Sequence, residues 1–142
     1  MPSMEKRRIK HFIMINSITE LPVLARKTEE LAQEWELPVS LTMNISLVLE
    51  EAFSNIIYYA FNDDGVHKIR ITISLRNDKL TVRIKDDGIP FDPTAQRQPD
   101  ITLPAVERPV GGLGIFLISK IMDTVYYSRE KNLNVLTLTK QI

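Results

Sequence analysis

Residues 69–88 read IRITISLRNDKLTVRIKDDG, and the fold follows from this stretch. Ile69, Ile71, Ile73 and Leu75 alternate with polar residues, Arg76-Asn77-Asp78-Lys79 turns the chain, and Leu80, Val82 and Ile84 alternate with Thr81, Arg83 and Lys85. Successive strand side chains point to opposite faces, so the two runs predict a β-hairpin with one buried face. Asp86 continues the series of Leu80, Val82 and Ile84, which aims a carboxylate at the core side of the strand's end.

Upstream, residues 9–15 read as a strand, with His11, Ile13 and Ile15 alternating against Phe12 and Met14. Thr19 resembles an N-cap for a helix to about residue 36, on which Leu21, Leu24, Thr28, Leu31 and Trp35 recur at helical spacing. Pro38 opens a second helix, since a first-position proline lacks only a donor that would be unpaired anyway. Leu41, Ile45, Val48, Leu49, Ala52, Phe53, Ile56 and Ala60 form its apolar stripe, which fades at Asn62-Asp63-Asp64-Gly65. Downstream, residues 93–110 hold four of the eight prolines and no period, as a lid or a loop does. A short apolar helix over 111–122 follows, then two strands over 124–139 around the turn Glu130-Lys131-Asn132. Strands in adjacent pairs without regular β-α-β alternation imply an α+β fold, a two-layer sandwich with helices on one face of a mostly antiparallel mixed sheet.

The 142 residues suit one domain, 1–142, large enough to fold on its own core. Hydrophobic content of 44% and charged content of 25% are ordinary for a globular chain. Absence of cysteine excludes disulfides, thiolate metal sites and a Cys nucleophile. Eighteen basic and eighteen acidic residues cancel, so no overall field draws the chain to nucleic acid or membrane. The KRRIK segment at 6–10 reads as a solvated strand start. The apolar run after it ends at Asn16, too short for a signal sequence or a membrane span, so a cytoplasmic location is expected.

Some residues are not explained by the fold alone. Glu51 and Asn55, four apart, stack along one border of the second helix's apolar stripe, while Glu50 lies on the opposite border. Such pairs are also common as a solvated carboxylate and a surface amide. The inward Asp86 needs a donor, because an unpaired buried carboxylate costs several kcal/mol or shifts its pKa upward. A helix N-terminus or an arginine would serve, and so would a ligand's amino group; a bulge would bring Asp87 inward instead. Four of the five glycines are Gly88, Gly111, Gly112 and Gly114. Gly88 follows the inward carboxylate where close backbone approach is wanted, and Gly111-Gly112-Leu113-Gly114 precedes an apolar helix, an arrangement that holds phosphate on backbone N–H groups.

In this order the residues resemble the three boxes of the superfamily that includes DNA gyrase, histidine kinases and the mismatch-repair protein MutL. Glu51-Ala52-Phe53-Ser54-Asn55 matches the N box, Asp86-Asp87-Gly88-Ile89-Pro90-Phe91-Asp92-Pro93 the first glycine box, and Gly112-Leu113-Gly114 the second. The Glu-Ala-x-x-Asn form looks most like the anti-sigma-factor serine/threonine kinases. The resemblance implies a Bergerat-type ATP-binding fold with Mg²⁺-ATP as cofactor and residues 93–110 as the lid. It implies that Asn55 holds Mg²⁺, Glu51 acts as general base, Asp86 accepts from the adenine amino group, and Gly88 keeps the base pocket open. Gly112 and Gly114 let the backbone approach the phosphates, beside Gly111 and Leu113, and Arg108 supplies charge to the γ-phosphate. It further implies a homodimer that phosphorylates a Ser or Thr of a small anti-anti-sigma-type regulator and competes for a sigma factor. Tyr59 stands where the family often has a basic residue or His, and Pro90 where the first box has its second glycine. Tyr59 leaves open a second reading, a nucleotide-dependent module that sequesters its partner without efficient phosphoryl transfer.

Overall fold

The computed structural model describes residues 7–95 and 112–142. Five strands, β1 (Arg8–Ile15), β2 (Lys68–Arg76), β3 (Lys79–Asp86), β4 (Thr124–Glu130) and β5 (Leu133–Gln141), form one sheet in the order β1-β2-β3-β5-β4. Every pairing in it is antiparallel. The helices are α1 (Leu21–Glu34), α2 (Val39–Tyr59) and α3 (Gly112–Ile121). The α+β architecture expected from the strand pairs is present.

The β2–β3 hairpin turns on Asn77 and Asp78, both with positive φ (54° and 58°), the backbone that a two-residue turn needs to match the strands' twist. Its register sets Ile71 opposite Ile84, Ile73 opposite Val82 and Ile69 opposite Asp86. Ile69, Ile71, Ile73, Leu80 and Val82 are fully buried. They join Phe12 and Met14 from β1, Leu136 and Leu138 from β5 and the stripe of α2 in a single core. All eight apolar positions assigned to that stripe are buried. Thr28, inside α1, satisfies its hydroxyl on the Leu24 carbonyl at 2.8 Å, as helix-buried threonines do.

The first helix begins differently from the sequence reading. Thr19 lies inside a 3-10 turn, Ile18–Glu20, and Ser17 caps it, its Oγ accepting from the Thr19 amide. α1 proper then starts at Leu21 with Pro22 in its first turn, where the missing N–H costs nothing. In the basic 6–10 segment, Arg8 donates to the Trp35 carbonyl at 3.0 Å and Lys10 pairs with Glu34 at 3.0 Å. Both tie the start of β1 to the end of α1. The outer side of the sheet is left to Arg70, Arg83 and Lys85 beside the exposed Ile9 and Ile13.

Phe53 is wholly buried at the centre of α2. Phe53→Ala should therefore cost about 3–5 kcal/mol in chemical denaturation, with an unchanged midpoint ruling out this packing.

Candidate functional site

Asp86 ends β3 facing inward, opposite Ile69 on one side and Asn134 on the other, and is 3% exposed. Its Oδ1 accepts from the Gly88 amide at 2.9 Å and from Asn134 Nδ2 at 3.0 Å. Among the described residues no donor reaches Oδ2, and Asp86 lines the space in front of it. Burial raises the pKa of this carboxyl, a push strengthened by Asp87 and opposed by the two N–H donors and by Arg129.

That space is a narrow, partly open pocket between α2, α3 and the sheet, with a cavity of about 20 Å³. Asn55, Asp86, Tyr127 and Asn134 give it polar groups, and Ile56, Phe91 and Ile118 apolar walls. Apolar walls with a few convergent polar groups are the usual make-up of a small-molecule site. Asn55, 6% exposed, projects from α2 with no side-chain partner among the described residues. Glu51, one turn earlier, is half-buried and outside the pocket's lining. Burial, and then the neighbouring Glu50 charge, raise its pKa, which makes it a stronger proton acceptor when ionised.

Two pieces of the sequence reading take a different form. Gly88 does not line the pocket: a Cβ there would sit 2.2 Å from the Ala60 carbonyl oxygen. The close backbone approach is real, but it is made to the end of α2, where the Ile89 amide donates to the same oxygen at 2.7 Å. Pro90 is exposed in the turn that follows and lies on the far side, near His67. Gly112, Leu113 and Gly114 form the first turn of α3, the helix that supplies Ile118 to the pocket. Arg108, Gly111 and most of the 93–110 segment lie outside the described residues.

Asn134 was missed in the sequence, together with Tyr127 and Arg129. Its Oδ1 accepts from the Phe91 amide (3.2 Å), the Tyr127 hydroxyl (2.5 Å) and Arg129 (3.2 Å), while Nδ2 donates to Asp86 and to the Ile89 carbonyl (2.7 Å). Arg129 also reaches the Gly88 carbonyl at 2.8 Å. A signal was present: Asn134 precedes Leu136 and Leu138 in steps of two, the same inward parity that exposed Asp86. Tyr59, a turn beyond Asn55, stacks on Phe91 at 5.4 Å, and its buried hydroxyl has no partner among the described residues.

The model of the histidine kinase-like ATPase domain matches residues 16–140. The chain belongs to this family. It is 32% identical over 103 residues to the serine-protein kinase RsbW of Bacillus cereus strain AH187, covering 70% of this chain and 63% of the relative. The same kinase of Bacillus thuringiensis subsp. konkukian strain 97-27 is 31% identical over equal shares. The aligned part thus spans under two-thirds of these relatives' length. The family assignment accords with the resemblance of the three boxes to the anti-sigma-factor serine/threonine kinases. No helix among the described residues is long and apolar enough to cross a membrane.

Behind the ATPase-family pocket, His67 bridges two carboxylates: Nε2 to Asp63 at 2.8 Å and Nδ1 to Asp87 at 3.0 Å. Its ring stacks on Phe61 at 4.5 Å. The Asp63 hydrogen bond chiefly raises the His67 pKa above 6.5, and the same bond lowers that of Asp63 below 3.8. A raised histidine contributes stability in full below pH 6.5, lost as pH climbs through the folded value; the depressed Asp63 contributes above 3.8, lost as pH falls through its folded value. The melting-temperature gap between wild type and His67→Ala should therefore be wide at pH 6 and narrow in alkali. A gap independent of pH would show that the bridge carries no charge.

Proposed function

We propose that the chain is an ATP-binding serine/threonine protein kinase of the anti-sigma-factor type, acting on a small anti-anti-sigma-like regulator in the cytoplasm. The observation that carries the reading is Asp86. A buried carboxylate at a pocket wall, with one oxygen committed to the protein and the other without a donor among the described residues, suits the exocyclic amino group of adenine. Asn55 opens on the same pocket, and α3, which lines it through Ile118, begins with two closely spaced glycines, which supports phosphates held by backbone N–H groups at a helix start.

The residues present fit Mg²⁺: a buried amide without a partner among the described residues offers the oxygen that a hard cation prefers. Asn55 would hold the ion, which when bound neutralises phosphate charge. Glu51 takes the proton of the substrate hydroxyl as its oxygen bonds to the γ-phosphorus and the bond to the ADP oxygen breaks. Its raised pKa favours this proton transfer. Positioning and charge neutralisation supply most of such catalysis. Arg108 is assigned to the γ-phosphate, residues 93–110 to the lid, and the working unit to a homodimer that also engages a sigma factor.

A second reading, a nucleotide-dependent module that sequesters its partner with little transfer, is favoured by Tyr59. Where the family often carries charge, this phenol is buried against Phe91 with its pKa raised by burial, and it brings no cation to the phosphates.

Incubation with γ-labelled ATP and the candidate regulator decides between them. Label is expected on a Ser or Thr hydroxyl of the regulator, with Glu51→Ala lowering the rate about 10²- to 10⁴-fold while ATP still binds. Tight ATP binding by the wild type without any label transfer would establish the sequestering module instead. Asn55→Ala is expected to erase the Mg²⁺-dependent part of ATP affinity without lowering the melting temperature. An unchanged Kd would remove Asn55 from the site.

A further inference from the structure

We propose that Asn134 is the positioning residue that makes Asp86 a one-oxygen acceptor, and so sets the pocket's preference for a base bearing an exocyclic amino group. The inference rests on the nucleotide reading above and adds a residue to it that none of the three boxes contains.

The geometry is specific. An ionised carboxylate offers two acceptor oxygens and no donor; a protonated one turns one of them into an O–H donor. Two N–H donors, from Gly88 and Asn134, converge on Oδ1 of Asp86. Donors to a carboxylate favour its charged form, and burial drives the other way. With both donors in place, Oδ1 is occupied and Oδ2 is left to the pocket as an acceptor. Asn134 is itself held against rotation. Its amide oxygen can take only acceptor roles, and Phe91, Tyr127 and Arg129 all donate to it. The amide nitrogen must therefore point at Asp86 and at the Ile89 carbonyl.

The charged and titratable groups around the pair are few. Asp87 follows Asp86 in the chain, Arg129 and Tyr127 come from β4, and α2 presents the uncharged Asn55 to the same space. Among the described residues only Arg129 brings positive charge, and its bonds go to Gly88 O and Asn134 rather than to the carboxylate. Asn134 is thus the one side chain that donates to Asp86 among the described residues.

Removing that donor shifts Asp86 toward its protonated form, which loses its charge and one acceptor oxygen, holds an amino group less well and admits a keto oxygen. Two measurements test this. The first is the Asp86 carboxyl titration by carbon NMR without nucleotide, in wild type, Asn134→Leu and Tyr127→Phe. The pKa is expected to rise in Asn134→Leu and to stay in place in Tyr127→Phe, which keeps the Asn134 amide. Should Asn134→Leu not fold, Asn134→Ser, with a shorter side chain, is expected to give the same rise. The second compares ADP with purine riboside diphosphate, which lacks the amino group, from pH 5 to pH 9. Loss of the donor is expected to weaken ADP about tenfold or more at neutral pH, with the loss shrinking as pH rises, and to leave the analogue nearly unaffected. Equal weakening of both nucleotides at every pH, or a stationary Asp86 titration, overturns the proposal. A wild type that binds neither nucleotide sinks the ATP reading itself, and the first measurement still reports whether Asn134 controls the carboxyl.

Discussion

A carboxylate buried at the end of a strand is the constraint around which this chain is arranged. Left alone, Asp86 would cost several kcal/mol or lose its charge. Its position next to Ile84 and Ile69, both buried, leaves no water on the sheet side to help. The compensation comes from the Gly88 amide and the Asn134 side chain, and hydrogen bonds to a charged group contribute about 1.5–3 kcal/mol each. These two bonds in turn order what surrounds them. The first closes the turn after β3, and the second fixes the register of β5 against β3 at the end where the pocket opens.

The second helix links packing to chemistry. Its apolar stripe fills the core from Leu41 to Ala60, and that burial fixes the helix's rotation about its axis. Asn55 and Glu51 occupy the stripe's border, so the same rotation presents one to the pocket and leaves the other half-buried beside it. Turning the helix to expose Asn55 further would unseat Phe53 and Ile56. The site is held by hydrophobic packing, with little polar structure of its own on this side.

Local period and parity made much of this legible. Alternation over 69–86 predicts the hairpin and the inward carboxylate, and helical spacing predicts the buried stripe of α2 without error. What escaped was information held between strands. Asn134 meets Asp86 across 48 positions of chain, and nothing in the sequence says that β5 inserts between β3 and β4. Tyr127 escaped because its hydroxyl's partner lies on the strand paired to its own. The cap of the first helical segment slipped from Thr19 to Ser17 because both are hydroxyl residues, two apart, and only backbone geometry distinguishes them. The glycine pattern marked Gly88 correctly as a point of close approach but left open which neighbour approaches.

That neighbour gives the Gly88–Ala60 contact a mechanical meaning. With no room for even a methyl group between the turn and Ala60, which caps the helix, the two act as the fixed jaw of a calliper. One arm is the helix that carries Asn55, the other the strand end that carries Asp86, and the gap between them is gauged by backbone alone. Whatever occupies the pocket meets a span already set on this side, so adaptation to its size falls to the third helix.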